Sequence, residues 1–209
     1  MFIRTESFSQ YIRQYPVVTT LIALNVIIYL LTLMPFFGDS ILNFGIGSNY
    51  MIEQGEYWRL VTPMFLHAGF MHLLFNMFSL FIFGPELEKV AGKARFLTVY
   101  FLAGIFGDIA TFFVYDSNYM HVGASGAIFG IFGAFAALVY YTKKTLPQLR
   151  QIILPIIGLS VVMTFVGPNI NATAHIAGLV VGFLIGLSIF HPKRIISWRK
   201  PKLKVVDKR

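Results

Sequence analysis

The chain has 209 residues; 56% are hydrophobic, 12% are charged and 22 are Phe. Soluble domains carry about 25% charged residues, so this composition argues against a soluble enzyme, against disorder and against a nucleic-acid-binding domain. The absence of Cys excludes disulfide scaffolds, thiol chemistry and Cys-ligated metals. A net charge of +8 would suggest nucleic acid only if the basic residues shared one folded face, and their placement gives another reading.

Charges are costly in hydrocarbon, so long uncharged intervals mark candidate membrane spans of roughly 20 residues. In chain order, Arg13 to Asp39 encloses 25 uncharged residues, Arg59 to Glu86 encloses 26, and Asp116 to Lys143 another 26. A further apolar stretch, roughly 96 to 115, is interrupted only by Asp108. Arg150 to Lys193 encloses 42, too many for one helix at ~1.5 Å per residue. Gly167-Pro168-Asn169-Ile170-Asn171 breaks it into two helices. One such stretch could be a buried core helix, but six in a chain this short leave no polar layer to cover them. The first follows a polar Met1–Tyr15 segment and lacks an Ala-x-Ala cleavage site, so it reads as a retained helix rather than a signal peptide.

The expected fold class is therefore all-α, a polytopic membrane protein with a six-transmembrane-helix bundle. Residues 1–15 form an N-terminal segment suited to the membrane interface, 16–192 the bundle, and 193–209 a basic tail. Six spans place 16 of the 17 basic residues on one side and leave only Arg59 on the other. The positive-inside rule then puts both termini in the cytoplasm, and the surplus charge is a topology signal, aided at the tail by anionic lipid; no nucleic-acid partner is needed. The connection at about 38 to 68 is long, whereas the other outer loops are short. Its aromatic and amphipathic composition suits a structure lying in the interface.

Polar residues at membrane depth are functional candidates by default, and here they are His67, His72, Asn76, Asp108, Ser125 and His175. Gly123-Ala124-Ser125-Gly126 opens span 4: the glycines permit close backbone approach, and a serine in the first helical turn sits beside unpaired N–H groups and the positive end of the dipole. That suits a nucleophile whose attack creates an oxyanion, although a helix cap with a packing motif would also fit. Ala174-His175 opens span 6 and starts a row of small residues, Ala174, Gly178, Gly182 and Gly186. Span 4 carries a matching row at Gly126, Gly130 and Ala134. Rows of this kind let membrane helices approach closely. If the two face each other, Ser125 and His175 meet at one depth, as a base-activated serine requires. His72 and Asn76, four apart, share one helical face and could bind a developing negative oxygen, one such donor being worth ~2.7–4 kcal/mol. A metal site fits less well: His67 and His72 are five apart and no His-Glu-x-x-His occurs.

Together these residues resemble the rhomboid family of intramembrane serine proteases: Trp58-Arg59, His72 with Asn76, Gly84-Pro85-Glu86-Leu87-Glu88 after span 2, Gly123-Ala124-Ser125-Gly126, and Ala174-His175 with its glycine row. The resemblance implies a Ser125–His175 dyad without a third acid. It also implies an oxyanion hole from His72, Asn76 and the Ser125 backbone N–H, with Gly123 shaping the pocket. No cofactor and no metal are implied. Asp108 lies outside the family's catalytic pattern; packing or hydrogen bonding suits it better than membership of a triad, and His67 is expected to brace the outer loop. The implied substrates are single-pass membrane proteins in the lipid bilayer, cut near the extracytoplasmic face. Span 5 (Pro155, Gly158) and the loop Gly167–Thr173 are candidates for a moving gate and lid. The setting expected is a bacterial plasma membrane. The competing readings are a catalytically silent rhomboid-like protein that binds membrane clients and a six-helix transporter. The latter predicts polar residues through both membrane halves, whereas these stop in the outer half.

Overall fold

The computed structural model describes Phe2, residues 4–167 and residues 170–193. In chain order the helices are α1 (Phe8–Gln14), α2 (Pro16–Thr32), α3 (Gly38–Gly45), α4 (Asn49–Glu53), α5 (Phe70–Ala91), α6 (Lys93–Val114), α7 (Ser125–Thr142), α8 (Pro147–Val166) and α9 (Ala172–Ile189). Two 3-10 turns, Tyr57–Leu60 and Thr62–Phe65, lie between α4 and α5. Two short strands, β1 (Gly47–Ser48) and β2 (Met120–His121), pair antiparallel with Gly47 opposite His121. Apart from this two-residue ladder, the regular structure of the described residues is helical. The tail after Lys193 and residues 168–169 of the proposed lid lie outside the described residues.

Among the described residues five helices, α5 to α9, are long and apolar enough to cross a membrane. The 17-residue α2 reaches the lower end of the roughly 17–25 residues a span needs. The chain is a multi-pass membrane protein. Large apolar side chains such as Leu30, Phe78, Leu159, Val162 and Leu184 are exposed on the bundle's outside, the surface that hydrocarbon would solvate.

The polar start is a separate helix. Ser7 accepts from the Gln10 N–H while the Gln10 side chain accepts from the Ser7 N–H, satisfying two donors that the helix start leaves orphaned. The axis then turns by 109° before α2, which begins on Pro16, a residue without an N–H to lose.

The charge-interval reading needs one correction. It placed Gly84-Pro85-Glu86-Leu87-Glu88 after span 2, but α5 runs on to Ala91 with Pro85 inside it. The charges do not end the helix because they are partnered. Glu88 accepts the Val17 and Val18 N–H groups at 3.3 and 3.0 Å, capping the positive end of α2, and Glu86 pairs with Arg4. The N-terminal segment is thereby fastened to the end of α5 remote from the 38–68 connection.

The centre of the bundle is α7, with 72% of its apolar stretch buried against 17% for α8. The two rows of small residues face each other across α7 and α9. A Cβ added to Gly178 or Gly182 would run into the backbone carbonyl of Gly126 or Gly130, and one added to Gly186 would lie 2.9 Å from Ala134 Cα. Only glycine allows helices to come this close, which aligns the first turns of α7 and α9 in height.

The 38–68 connection folds over this end of the bundle, hereafter the loop face. Trp58 stacks on Phe44 at 5.6 Å and its indole N–H donates to the Phe44 carbonyl. Arg59, 4% exposed, binds Glu56 and donates to the Ile46 carbonyl at 2.8 Å. The Asn49 side chain donates to the Tyr115 and Asp116 carbonyls, tying the connection to the chain that enters α7.

Candidate active site

The α6–α7 connection delivers Ser125 as the first residue of α7, where its backbone N–H has no partner four residues back. Gly123 precedes it with φ of +130°, and a Cβ there would meet His72 Cε1 and Nε2 at 2.7 Å. Both the backbone conformation and the space therefore demand glycine. The Gly123 N–H donates to the Pro63 carbonyl at 2.8 Å, so the folded connection over the loop face sets the height of the turn.

Ser125, His175, His72 and Asn76 all line one cavity of about 590 Å³, walled by Phe75, Ile128, Phe129 and Phe132 and lined on the loop face by Ala68, Tyr119 and Met120. His175 is 8% exposed. Its ring stacks on Phe129 with centroids 4.1 Å apart and 15° between planes. Phe129 stands one turn after Ser125 on the same face of α7, which brings the imidazole to the serine's side of the helix. Among the described residues the Ser125 hydroxyl makes no hydrogen bond, to His175 or to any other group. Nucleophile–base pairs commonly tighten only once substrate is bound.

His72 Nδ1 accepts from the Ala68 N–H at 3.4 Å. In the neutral ring the proton then sits on Nε2, the nitrogen directed at Gly123. Asn76 donates one amide N–H to the His72 carbonyl at 2.8 Å, which leaves its second donor uncommitted among the described residues. His67 is buried, with its ring 5.1 Å from that of His72 and edge-on to it. Neither of its nitrogens has a partner among the described residues. Burial, reinforced by His72, pushes the His67 imidazole down to about 3, so it is neutral and braces the loop by packing alone.

Asp108 pairs with a different histidine. Its Oδ1 lies 3.0 Å from Nε2 of His121 in β2, and the pair sits behind the Gly123–Ser125 turn in a small cleft that Asn171 also lines. The acid of a triad would stand at Nδ1 of His175; that position is held by Thr164 Oγ1 at 2.8 Å. Thr164, Phe129, His121 and Asn171 were not legible as site residues from sequence. Asn171 ties the start of α9 down, accepting from the Ala174 N–H and donating to Thr111 Oγ1 of α6 at 2.8 Å. The usable signal for His121 was its place two residues before Gly123; Thr164 offered only a threonine one turn after a serine in an apolar helix.

Known proteins agree with this architecture. The Rhomboid domain family matches residues 54–192. Over 191 residues the chain is 44% identical to YdcA of Bacillus subtilis (strain 168), which carries a rhomboid protease name, covering 88% of this chain and 94% of that one. It is 40% identical over 156 residues to the rhomboid protease GluP of the same organism, covering 74% of this chain and 30% of GluP. With Rhomboid-like protease 1 of Toxoplasma gondii it shares 34% identity over 148 residues, 68% of this chain and 50% of the other. The chain thus spans nearly all of YdcA but half or less of the other two. A multi-pass helical bundle matched by that domain over most of its length, with a relative of nearly equal extent, belongs to the rhomboid family and is by class a rhomboid-type serine endopeptidase.

Proposed function

We propose that this protein hydrolyses a peptide bond in the transmembrane segment of a single-pass membrane protein, near the extracytoplasmic face, with Ser125 as nucleophile and His175 as its base. The observation that carries the proposal is the shared cavity: the Ser125 hydroxyl, the His72 and His175 imidazoles and the Asn76 amide all line it, beside a turn that only glycine can make. In the reaction, His175 Nε2 takes the Ser125 proton as Oγ attacks the carbonyl carbon, and the tetrahedral oxygen is held by His72 Nε2–H, the free Asn76 N–H and the Ser125 backbone N–H. His175 returns the proton to the leaving nitrogen and the C–N bond breaks. Water, deprotonated by the same base, then attacks the acyl-serine, frees the acid and restores the hydroxyl. The concentration of Lys and Arg on the side opposite the 38–68 connection supports cytoplasmic termini and an extracytoplasmic site.

The test is cleavage of a single-pass model substrate in proteoliposomes, together with labelling by a mechanism-based serine-hydrolase probe. Ser125→Ala and His175→Ala are expected to lower the rate by at least ~10³-fold, and Ser125→Ala to abolish labelling. Cleavage at the wild-type rate by either variant would reject the dyad, and an unlabelled, inactive wild-type protein would favour a silent client-binding relative.

A further inference from the structure

The bond between α8 and the base has a directional consequence. A threonine hydroxyl carries one proton and two lone pairs. The Thr164 oxygen lies 2.9 Å from the Ser160 carbonyl, which can only accept, and 2.8 Å from His175 Nδ1, which can take either role. Both contacts are hydrogen bonds at once only if the hydroxyl donates to the carbonyl and Nδ1 carries the hydrogen; in the neutral ring Nε2 is then an unprotonated lone pair. Thr164 is 3% exposed and His175 8%, so bulk water does not compete for the bond. Asp108, the carboxylate weighed as a third member from the sequence, is engaged by His121.

We propose that Thr164 is the positioning residue that selects the reactive tautomer of His175, so that the base is competent only while α8 is docked. The proposal rests on the Ser125–His175 reading above. Its second support is where the threonine stands. The buried residues of α8 are Leu149, Ile153 and Thr164, and Thr164 is the one at the end that reaches the cavity. Displacing this sparsely packed helix removes the acceptor from Nδ1, and the ring is then free to carry its proton on Nε2, where it cannot receive one from Ser125.

The experiment combines kinetics in proteoliposomes containing a single-pass model substrate with ¹⁵N NMR of the full-length, ¹⁵N-histidine-labelled protein, the His175 signals being assigned by their loss in His175→Ala. The wild type is expected to show protonated Nδ1 and bare Nε2. Thr164→Val, which keeps the shape and removes the oxygen, should lower kcat roughly 10- to 100-fold with KM changed less than about twofold, and should shift the His175 signals toward the other tautomer. Thr164→Ser should restore both. A wild-type ring protonated on Nε2 would overturn the proposal without any variant, as would unchanged kcat in Thr164→Val, or equal losses in the Val and Ser variants with the tautomer unmoved. The dyad fails separately, by cleavage surviving in Ser125→Ala or His175→Ala, and the spectrum reads the tautomer whichever way that falls.

Discussion

The contact between α7 and α9 and the setting of α8 are opposite solutions to helix placement within one bundle. Along the first, glycine lies on backbone, and neither helix can slide or rotate without a clash. Along the second, most side chains point away from the protein, and a glycine in its middle, Gly158, has no atom within 4 Å of where its Cβ would be. The proposed nucleophile, Ser125, and the proposed base, His175, both belong to the rigid pair, which fixes their relative height. The hydroxyl proposed to direct that base, Thr164, belongs to the loosely held helix. Rigidity is thus concentrated where two reacting groups must share a position, while the neighbouring wall of the cavity is held by few contacts.

The sharpest way to break this contrast is to add one methyl group to each region. In Gly182→Ala the new carbon would run into the Gly130 peptide, with Gly130 Cα and C at 2.6 Å. Backbone in the middle of a packed helix cannot yield as a side-chain tip can. Overpacking costs about 1–3 kcal/mol where side chains can adjust, so the expected loss here is at least about 3 kcal/mol. It would be seen as a large fall in the unfolding midpoint in detergent and as lost activity. A midpoint equal to that of the wild type would show that the helices are not in backbone contact.

A smaller effect sharpens the comparison through pH. The connection over the loop face buries an ionisable group, His67, beside His72, whereas α8 carries only Arg150. Since burial lowers His67 from 6.5 to about 3, the unfolded chain binds the proton more readily than the folded one. The stability it confers is complete above 6.5 and is lost progressively as pH falls toward 3. By pH 4 the loss is of the order of 3 kcal/mol. Melting curves of the wild type and His67→Gln at pH 7 and pH 4 test this: the wild type should lose more on acidification, by roughly 5 °C or more. Equal losses would mean that the imidazole is not held neutral in the fold.

The two regions also differed in how plainly they could be read from the chain. The α7–α9 contact was legible because small residues repeat every fourth position in both spans, a spacing that only a helix places on one face. The start of α7 at Ser125 was legible from punctuation by glycine. The course of α5 through Glu86 and Glu88 was not, because counting charges treats every carboxylate as facing water, whereas Glu88 faces the N–H groups of Val17 and Val18. The partner of Asp108 was hidden for a different reason: His121 lies in a connection with no periodicity, and only the pairing of β1 with β2 brings it into line. Thr164 was hidden because a threonine that bonds its own helix leaves no pattern in an apolar run. Its role depends on the packing of another helix.

The smallest expected effect is the counterpart of the first. In Gly158→Ala the same methyl group enters open space, no neighbour must move, and alanine suits a helix interior better than glycine. The unfolding midpoint should not fall, the helix gaining at most about 1 kcal/mol, and kcat/KM should stay within about twofold unless α8 must flex at this point during turnover. The two readouts therefore separate packing from motion. An undiminished midpoint with an unchanged rate makes α8 a wall whose contacts near Thr164 are sufficient. An undiminished midpoint with a rate several-fold lower would locate a bend in α8 at Gly158, since a methyl group that touches nothing in the folded protein can slow it only by stiffening the helix.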